Sequence, residues 1–493
     1  MTALTALARA LAVKEERAQP IATVRHVHIG RRPLVFVPLA LSGEANAPLA
    51  ALVGDDRSAP HLLVVPQPRN REQRFAFAAE LGHHVLDYLN GFTHAREDVP
   101  VNRGREVRQR FVDAPQVWVP NPAGVAFTRL LGRSTRLRRT DGPYAVDPVV
   151  PLLGRWLTFL AERAEYPGSS LMVAMTRALS MHWATGQSSV EDANLAALLG
   201  WIAPPEGRSP ADAAADAEDA ELWPPAGPAT DPTFDNEILA PAIARHERDP
   251  RHLDGLRKVL NSQLEPTWHL MWRGLDVLCG LSAGATVGDR WAEDRDSFTN
   301  YVTYLQGDNP LPQARRDSAV AAARRLSTLE RAQGAYDVQR AMDDPLVMAE
   351  YRLSGEAFAG TVTYVWPDRI DATSGRRKLR PHIVVRTDDP LRLSAGTTVT
   401  DRSRPKQKAE IVSMSTVDGA QDVRLELSGG MGNSLVAPPG SIPAVGERLT
   451  YSALDGAFRQ PDRFPQHEET PWTHGGPPQP YVPTNDDAVE DWS

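Results

Sequence analysis

The sequence predicts a multidomain protein in which a mixed α/β part is followed by an all-α part and then by a small all-β part. Three observations predict it. Strand-like and helix-like periods alternate over residues 1–203, a Pro-, Ala- and acid-rich stretch breaks every period at 204–235, and the period switches from helical to two near residue 355. At 493 residues the chain is also too long for one hydrophobic core.

Within residues 1–203, "RPLVFVPLAL", "LAALVGDD", "HLLVVPQP" and "QVWVP" are short β-branched runs bounded by Pro, Gly or Asp, as buried strands are. Between them "REQRFAFAAELGHHVLDYLNG" is helical, with Phe77, Leu81, Val85 and Leu89 along one face and Asn90-Gly91 as its stop. Residues 151–203 are expected to be helical, because Leu171, Met175, Leu179 and Trp183 recur every four residues. A Ser189-to-Asp192 pair resembles a capping box before "ANLAALLGWI".

Residues 204–235 are expected to form a flexible acidic linker. Residues 236–354 predict a helical domain, in which Trp268, Met271, Trp272 and Leu275 share a face and a long charged helix spans about 313–342. Over 355–457, "TVTYVW", "HIVVR", "EIVSMSTV", "VRLEL" and "RLTYSAL" alternate with turns such as Asp418-Gly419, which predicts a five-stranded OB-like or SH3-like barrel. "GGMGNS" at 429–434 fits a hairpin turn or bulge. The Pro-rich acidic tail, 458–493, is expected to be disordered.

Composition narrows the chemistry. A single cysteine, Cys279, excludes an internal disulfide framework and any Cys-based zinc site, and it fits a reducing cytoplasm. No secretory leader and no membrane span are expected, since every apolar run is short or interrupted by charge. The net charge of −8 is concentrated: residues 204–235 carry −7 and residues 458–493 carry −5, which leaves the remainder at +4. Only five lysines occur, and Lys378, Lys406 and Lys408 lie close together in sequence.

Catalytic signatures are missing. No lysine follows a glycine, so the phosphate-gripping Walker loop is excluded. A restriction-type nuclease core needs an acid on one strand and acid-x-Lys on the next to hold a metal and orient water. Asp55 and Asp56 supply the first acid, but "HLLVVPQP" has none, and no lysine occurs between Lys14 and Lys258. There is no Gly-x-Ser-x-Gly elbow, His-Glu-x-x-His helix or EF-hand loop. Glu80, His84 and Asp87, with His83 beside them, fall on one helical face in the manner of metal ligands, but one helix supplies too few and no metal or cofactor is expected.

Two basic clusters remain. Residues 101–142 carry a local +6, densest at Arg133, Arg136, Arg138 and Arg139. Residues 371–408 carry another +6, in one loop with Arg376, Arg377, Lys378 and Arg380 and a second with Arg402, Arg404, Lys406 and Lys408. Trp366 ends the strand before the first loop. Cationic loops with a nearby aromatic supply phosphate contact and base stacking, whereas for each cluster the bland alternative is a solvated hairpin or helix face. The expectation is a non-catalytic nucleic-acid-binding or scaffold protein working with a separate NTPase such as a helicase, a partner suggested by fold analogy alone. One alternative is a hydrolase or nuclease-like enzyme with an unusual site at Asp55, Asp56 and Arg69 to Arg74 of the α/β part; another is a protein–protein assembly factor.

Overall fold

The computed structural model describes residues 2–44, 47–101, 104–220, 222–372, 377–454, 463–466 and 469. The chain divides into two compact units, one built mainly on residues 5–333 and the other mainly on residues 334–460. The sequence-expected boundaries at 203 and 235 do not coincide with that division.

The larger unit is organised by a five-stranded mixed sheet of order β3-β2-β1-β4-β5, with β1 at Leu34–Ala40, β2 at Pro48–Gly54, β3 at His61–Val64, β4 at Val117–Val119 and β5 at Met172–Ala174. β1, β2 and β3 are antiparallel neighbours, whereas β4 runs parallel to both β1 and β5. Every residue of β1 and β2 is buried, because side-chain alternation feeds two separate cores. Val35, Val37 and Leu39 enter one core; Leu34, Phe36 and Ala40 enter the other.

Helices cover both faces. On the second face lie α1 (Arg71–Asn90), α2 (Pro122–Thr135) and α3 (Val149–Glu165), and Phe77, Leu81, Val85 and Leu89 are all buried there as their spacing predicts. α1 starts at an Asn70 cap that accepts from the Gln73 N–H. α2 and α3 meet where neither chain has a side chain: a Cβ on Gly154 would stand 2.3 Å from the Arg136 nitrogen, and one on Gly132 would stand 2.8 Å from the Thr158 nitrogen.

Residues 171–183 are not one helix. They form β5, then α4 (Met175–Ser180), then a two-residue strand, Trp183–Ala184. The four-residue recurrence marked burial, since Leu171, Met175 and Leu179 are all fully buried, but a strand and a single helical turn or so bury them instead. The reciprocal cap lies one residue earlier than expected: Ser188 N–H donates to the Glu191 carboxylate at 2.5 Å, and Glu191 N–H donates to Ser188 Oγ at 3.3 Å. Asp192 is instead buried against Thr185.

The expected linker is folded over much of its length. After α5 (Leu195–Ile202), residues Pro210–Glu218 form α6, whose Ala214 and Ala217 join the first core; further on, Ala40 N–H donates to the Pro228 carbonyl and Thr230 N–H to the Ala40 carbonyl. Alanine is a strong helix former and small enough to pack, a property hidden by the Pro- and acid-rich surroundings. α7 (Leu253–Cys279) and α8 (Val287–Leu305) belong to the same layers as the sheet. Trp268, Met271, Trp272 and Leu275 enter the first core, while Trp291, Phe298 and Val302 enter the second. The helical segment therefore completes the α/β unit up to α8, because the sheet has two apolar faces to cover.

The charged helix, α9, spans Ala319–Asp343 and is followed by α10, Pro345–Ser354. In the smaller unit six strands, rather than the five expected, are hydrogen-bonded in a closed ring of order β6-β7-β10-β9-β8-β11. They are β6 (Ala357–Trp366), β7 (His382–Thr387), β8 (Thr398–Asp401), β9 (Lys408–Val417), β10 (Ala420–Ser428) and β11 (Arg448–Ser452). β11 returns to β6 with Phe358 opposite Tyr451. The uncounted strand is β8, whose four polar and β-branched residues are too few for alternation to register. Phe358, Val362, Ile383, Val385, Leu425 and Leu449 are among the residues filling the interior.

The turn chemistry matches the residue types. Asp418 and Gly419 both have positive φ, 53° and 84°, and join β9 to β10 as a two-residue hairpin. Gly429, Gly430 and Gly432 also take positive φ, the conformation that the "GGMGNS" turn requires. Of the tail expected to be disordered, nearly all lies outside the described residues.

Candidate nucleic-acid interface

Strand register builds this surface. With Ile383, Leu425 and Ile411 in the core, the residues next to them along β7, β10 and β9 face outward. One outward row runs Trp366, His382, Glu426, Glu410 across β6, β7, β10 and β9. The row before it runs Tyr364, Val384, Arg424, Ser413.

Beyond the Trp366 row the ladder continues, since Leu427 N–H donates to the Pro381 carbonyl at 2.8 Å. That places Arg380 opposite Ser428, and Ser428 is opposite Lys408. Two neighbouring strand spacings separate Arg380 from Lys408, about 10 Å of main chain. The two basic loops that are distant in sequence thus meet at one end of the ring. Arg377 and Lys378 lead into the same end on a short ribbon in which Asp371 pairs with Lys378. Arg376, at the tip of that loop, lies outside the described residues.

The cations are not equivalent. Lys378, Lys406, Lys408, Arg377 and Arg424 are exposed and form no ion pair among the described residues. Arg380 stands 3.7 Å from the Glu426 carboxylate, which also takes Arg369 at 2.5 Å and His382 at 3.2 Å. Arg402 donates to the Asp343 carbonyl at 2.9 Å. Arg404 is fixed by Glu447 at 3.0 Å and by the Gly440 and Ser441 carbonyls at 3.0 and 3.2 Å. Arg404 therefore closes a loop on its own ring rather than offering a free fork to a ligand, a correction to its expected role.

Two aromatic rings stand among these charges. Tyr364 is 57% exposed and Trp366 52%, an unusual degree for rings of this size on a strand. They share a face two residues apart, about 7 Å along the strand. The Trp366 indole meets His382 edge-on at 6.2 Å. Tyr364 and Arg424 were absent from the sequence-level candidates. Alternation could have found both, since Tyr364 is two residues before Trp366 and Arg424 is flanked by the core residues Val423 and Leu425.

In the larger unit, the 133–139 cluster splits differently. Arg133 is exposed. Arg136 is buried, and its Nε and Nη2 donate at 2.8 Å to the carbonyls of Gln313 and Ala314, so it is a structural tie. Arg138 donates to the Ser134 carbonyl at 2.7 Å and lies over the Phe75 ring at 5.4 Å. Arg139 pairs with Asp141 at 3.1 Å on the surface.

Comparison with known proteins finds no matching family model, no similar curated protein and no similar solved structure.

The two acids considered for catalysis are engaged, Asp55 in an ion pair and Asp56 in a turn. Asp55 accepts two bonds from Arg32, at 3.0 and 2.6 Å. Asp56 accepts from the N–H and hydroxyl of Ser58, both at 2.8 Å, and these bonds hold its carboxyl below the usual range. His84 stacks on His61 at 4.2 Å, and burial, followed by the charge of His61, pushes its pKa down. No group of three or more metal-ligating side chains occurs among the described residues. Nor is any helix among them long and apolar enough to cross a membrane.

Proposed function

We propose that the smaller unit is a nucleic-acid-binding module, resembling an OB-like or SH3-like barrel in size, within a non-catalytic accessory protein of the cytoplasm. The observation that carries the reading is the pairing of two exposed aromatics, Tyr364 and Trp366, with two cations on the same outward face, Arg424 and Lys408, that form no ion pair among the described residues. Aromatic faces accept stacked bases irrespective of sequence, and lysine and arginine neutralise the phosphates between them. Flexible single strands can splay their bases onto such a face, whereas a duplex keeps them stacked inside. A separate NTPase such as a helicase is the partner class this reading implies, since the chain has no Walker loop of its own.

The test is fluorescence anisotropy of the full chain with labelled single-stranded oligonucleotides across a salt series. Four or five phosphate contacts give a slope of log K against log salt of about −3, near 0.7 per contact on single strands. Trp366→Ala should weaken binding about tenfold, consistent with roughly 1–3 kcal/mol per stacked base. Salt-independent binding, or affinity unchanged in both Trp366→Ala and the double variant Lys408→Ala/Arg424→Ala, would sink the proposal.

A further inference from the structure

The outward row that carries Trp366 also carries acids. It runs Trp366, His382, Glu426, Glu410 across β6, β7, β10 and β9. The rows on either side of it are cationic, with Arg424 in one and Lys408 in the other. A carboxylate between two such rows works against phosphate contact.

Main-chain pairing brings further cations to Glu426. Leu425 and Leu427 are core residues, so the side chain between them points outward. The short ribbon before β7 sets Arg369 opposite Arg380, and the Arg380 N–H donates to the Arg369 carbonyl at 2.8 Å. Arg369 returns the contact, its Nη1 donating to the Arg380 carbonyl at 3.2 Å. Both guanidiniums then turn to the same acid. Glu426 Oε2 accepts from Arg369 at 2.5 Å and lies 3.2 Å from His382 Nε2, while Oε1 stands 3.7 Å from Arg380. The three charged side chains are 26–29% exposed, so a ligand can reach them although salt screens them incompletely.

Glu410 shows what the arginines do for its neighbour. It stands directly opposite Glu426 across the strands, is exposed, and forms no ion pair among the described residues. Like charges in that position repel. The two guanidiniums offset the repulsion at Glu426 and leave Glu410 bare.

A phosphate needs the donors that Glu426 already uses. Arginine forks fit carboxylate and phosphate oxygens alike, so the two compete for the same N–H groups. We propose that Glu426 masks Arg369 and Arg380, and so limits how tightly, and through how many phosphates, this face holds a single strand. The inference rests on the nucleic-acid reading of the same face and adds a regulating residue to it. Lys408 and Arg424 can meet phosphates with Glu426 in place; the two masked arginines do so only when a phosphate displaces it.

The experiment is fluorescence anisotropy of the full chain with a labelled single-stranded oligothymidylate, in a double-mutant cycle of Glu426→Gln and Arg369→Gln. Glutamine keeps the shape of the side chain and one accepting oxygen, and circular dichroism verifies the fold. Glu426→Gln should bind about fivefold tighter at low salt, the effect of one charge near the surface. Its slope of log K against log salt should steepen by about 0.7 for each arginine released. Arg369→Gln alone should change affinity less than about twofold, yet cancel the gain in the Glu426→Gln background. Glu410→Gln removes the same charge one strand away and should show no such coupling with Arg369→Gln. Unchanged or weaker binding in Glu426→Gln, or an additive cycle, which a mere change of net charge would give, overturns the proposal. If Trp366→Ala weakens the parent while the cycle is additive, the module reading stands and the mask alone falls. If neither the parent nor Glu426→Gln binds, both fall.

Discussion

Asp389 receives both arms of Arg352, Nε to Oδ2 at 2.7 Å and Nη2 to Oδ1 at 2.9 Å, and so ties α10 to the segment after β7. The Ala359 N–H adds a third bond at 2.7 Å. Burial opposes ionisation of Asp389, but the bonds from Arg352 and Ala359 outweigh it and hold the carboxyl below the usual range. A carboxyl with a depressed folded pKa contributes stability above its unfolded value, and that stability is lost as pH falls through the folded value. Arg352→Ala should therefore cost about 2 kcal/mol at pH 7 and much less in strong acid. Denaturant midpoints for both proteins at neutral and acid pH check this, and an equal loss at both would refute it.

His28 should give the larger unit a separate acid sensitivity. Its ring stacks on Trp291 at 4.1 Å. Its pKa is pushed down to about 4, mainly by burial, with Asp113 opposing and Arg25 and Arg295 assisting. The unfolded chain binds this proton first, so stability is complete above the ordinary histidine value and falls as pH drops from there toward 4. His28→Phe keeps a stacking ring and removes the proton site, so the decline between pH 7 and 5 should shrink by about 1–2 kcal/mol. An unaltered pH profile would contradict this.

Two cations from one basic run should behave oppositely. Arg404→Ala removes bonds to Glu447, Gly440 and Ser441 and should lower the stability of the ring by about 2 kcal/mol. Lys406→Ala should stay within about 0.5 kcal/mol of the parent, as an exposed side chain with no ion pair among the described residues does. Thermal melts of the two variants decide it.

The contact of α2 with α3 predicts a severe effect from one methyl group. Gly154→Ala would place its Cβ 2.3 Å from the Arg136 nitrogen and 2.5 Å from Thr135 Oγ1, so the helices must separate. A loss of about 3 kcal/mol or more is expected, at the upper end of overpacking. Urea unfolding measures it, and a loss below 1 kcal/mol, within the ordinary range of surface changes, would show that the pair can shift freely.

Local signals carried much of the fold. The buried runs of β1 and β2, the face of α1, the Asp418-Gly419 hairpin and the Trp268 face of α7 followed from periodicity and turn chemistry, which act within a few residues. What failed depended on distant partners. Pairing α7 and α8 with a sheet some two hundred residues earlier has no local signature, and the alanines of 210–218 look like linker until a surface is offered to them. The candidate site divides in the same way. Lys378, Lys406 and Lys408 stand out as charge runs, but only strand register brings Lys408 to the same end of the ring as Arg380, and only the fold reveals that Arg136 and Arg404 are already committed.

Closure of the six-stranded ring also limits how any partner can hold this unit. Each strand has a neighbour on both sides, so no strand is a full-length edge along which a foreign peptide could lie as an extra strand. Recognition then falls chiefly to side chains, whether rings, ammonium groups or guanidiniums, which leave the backbone undisturbed on binding and release. A partner can come and go without the ring having to open.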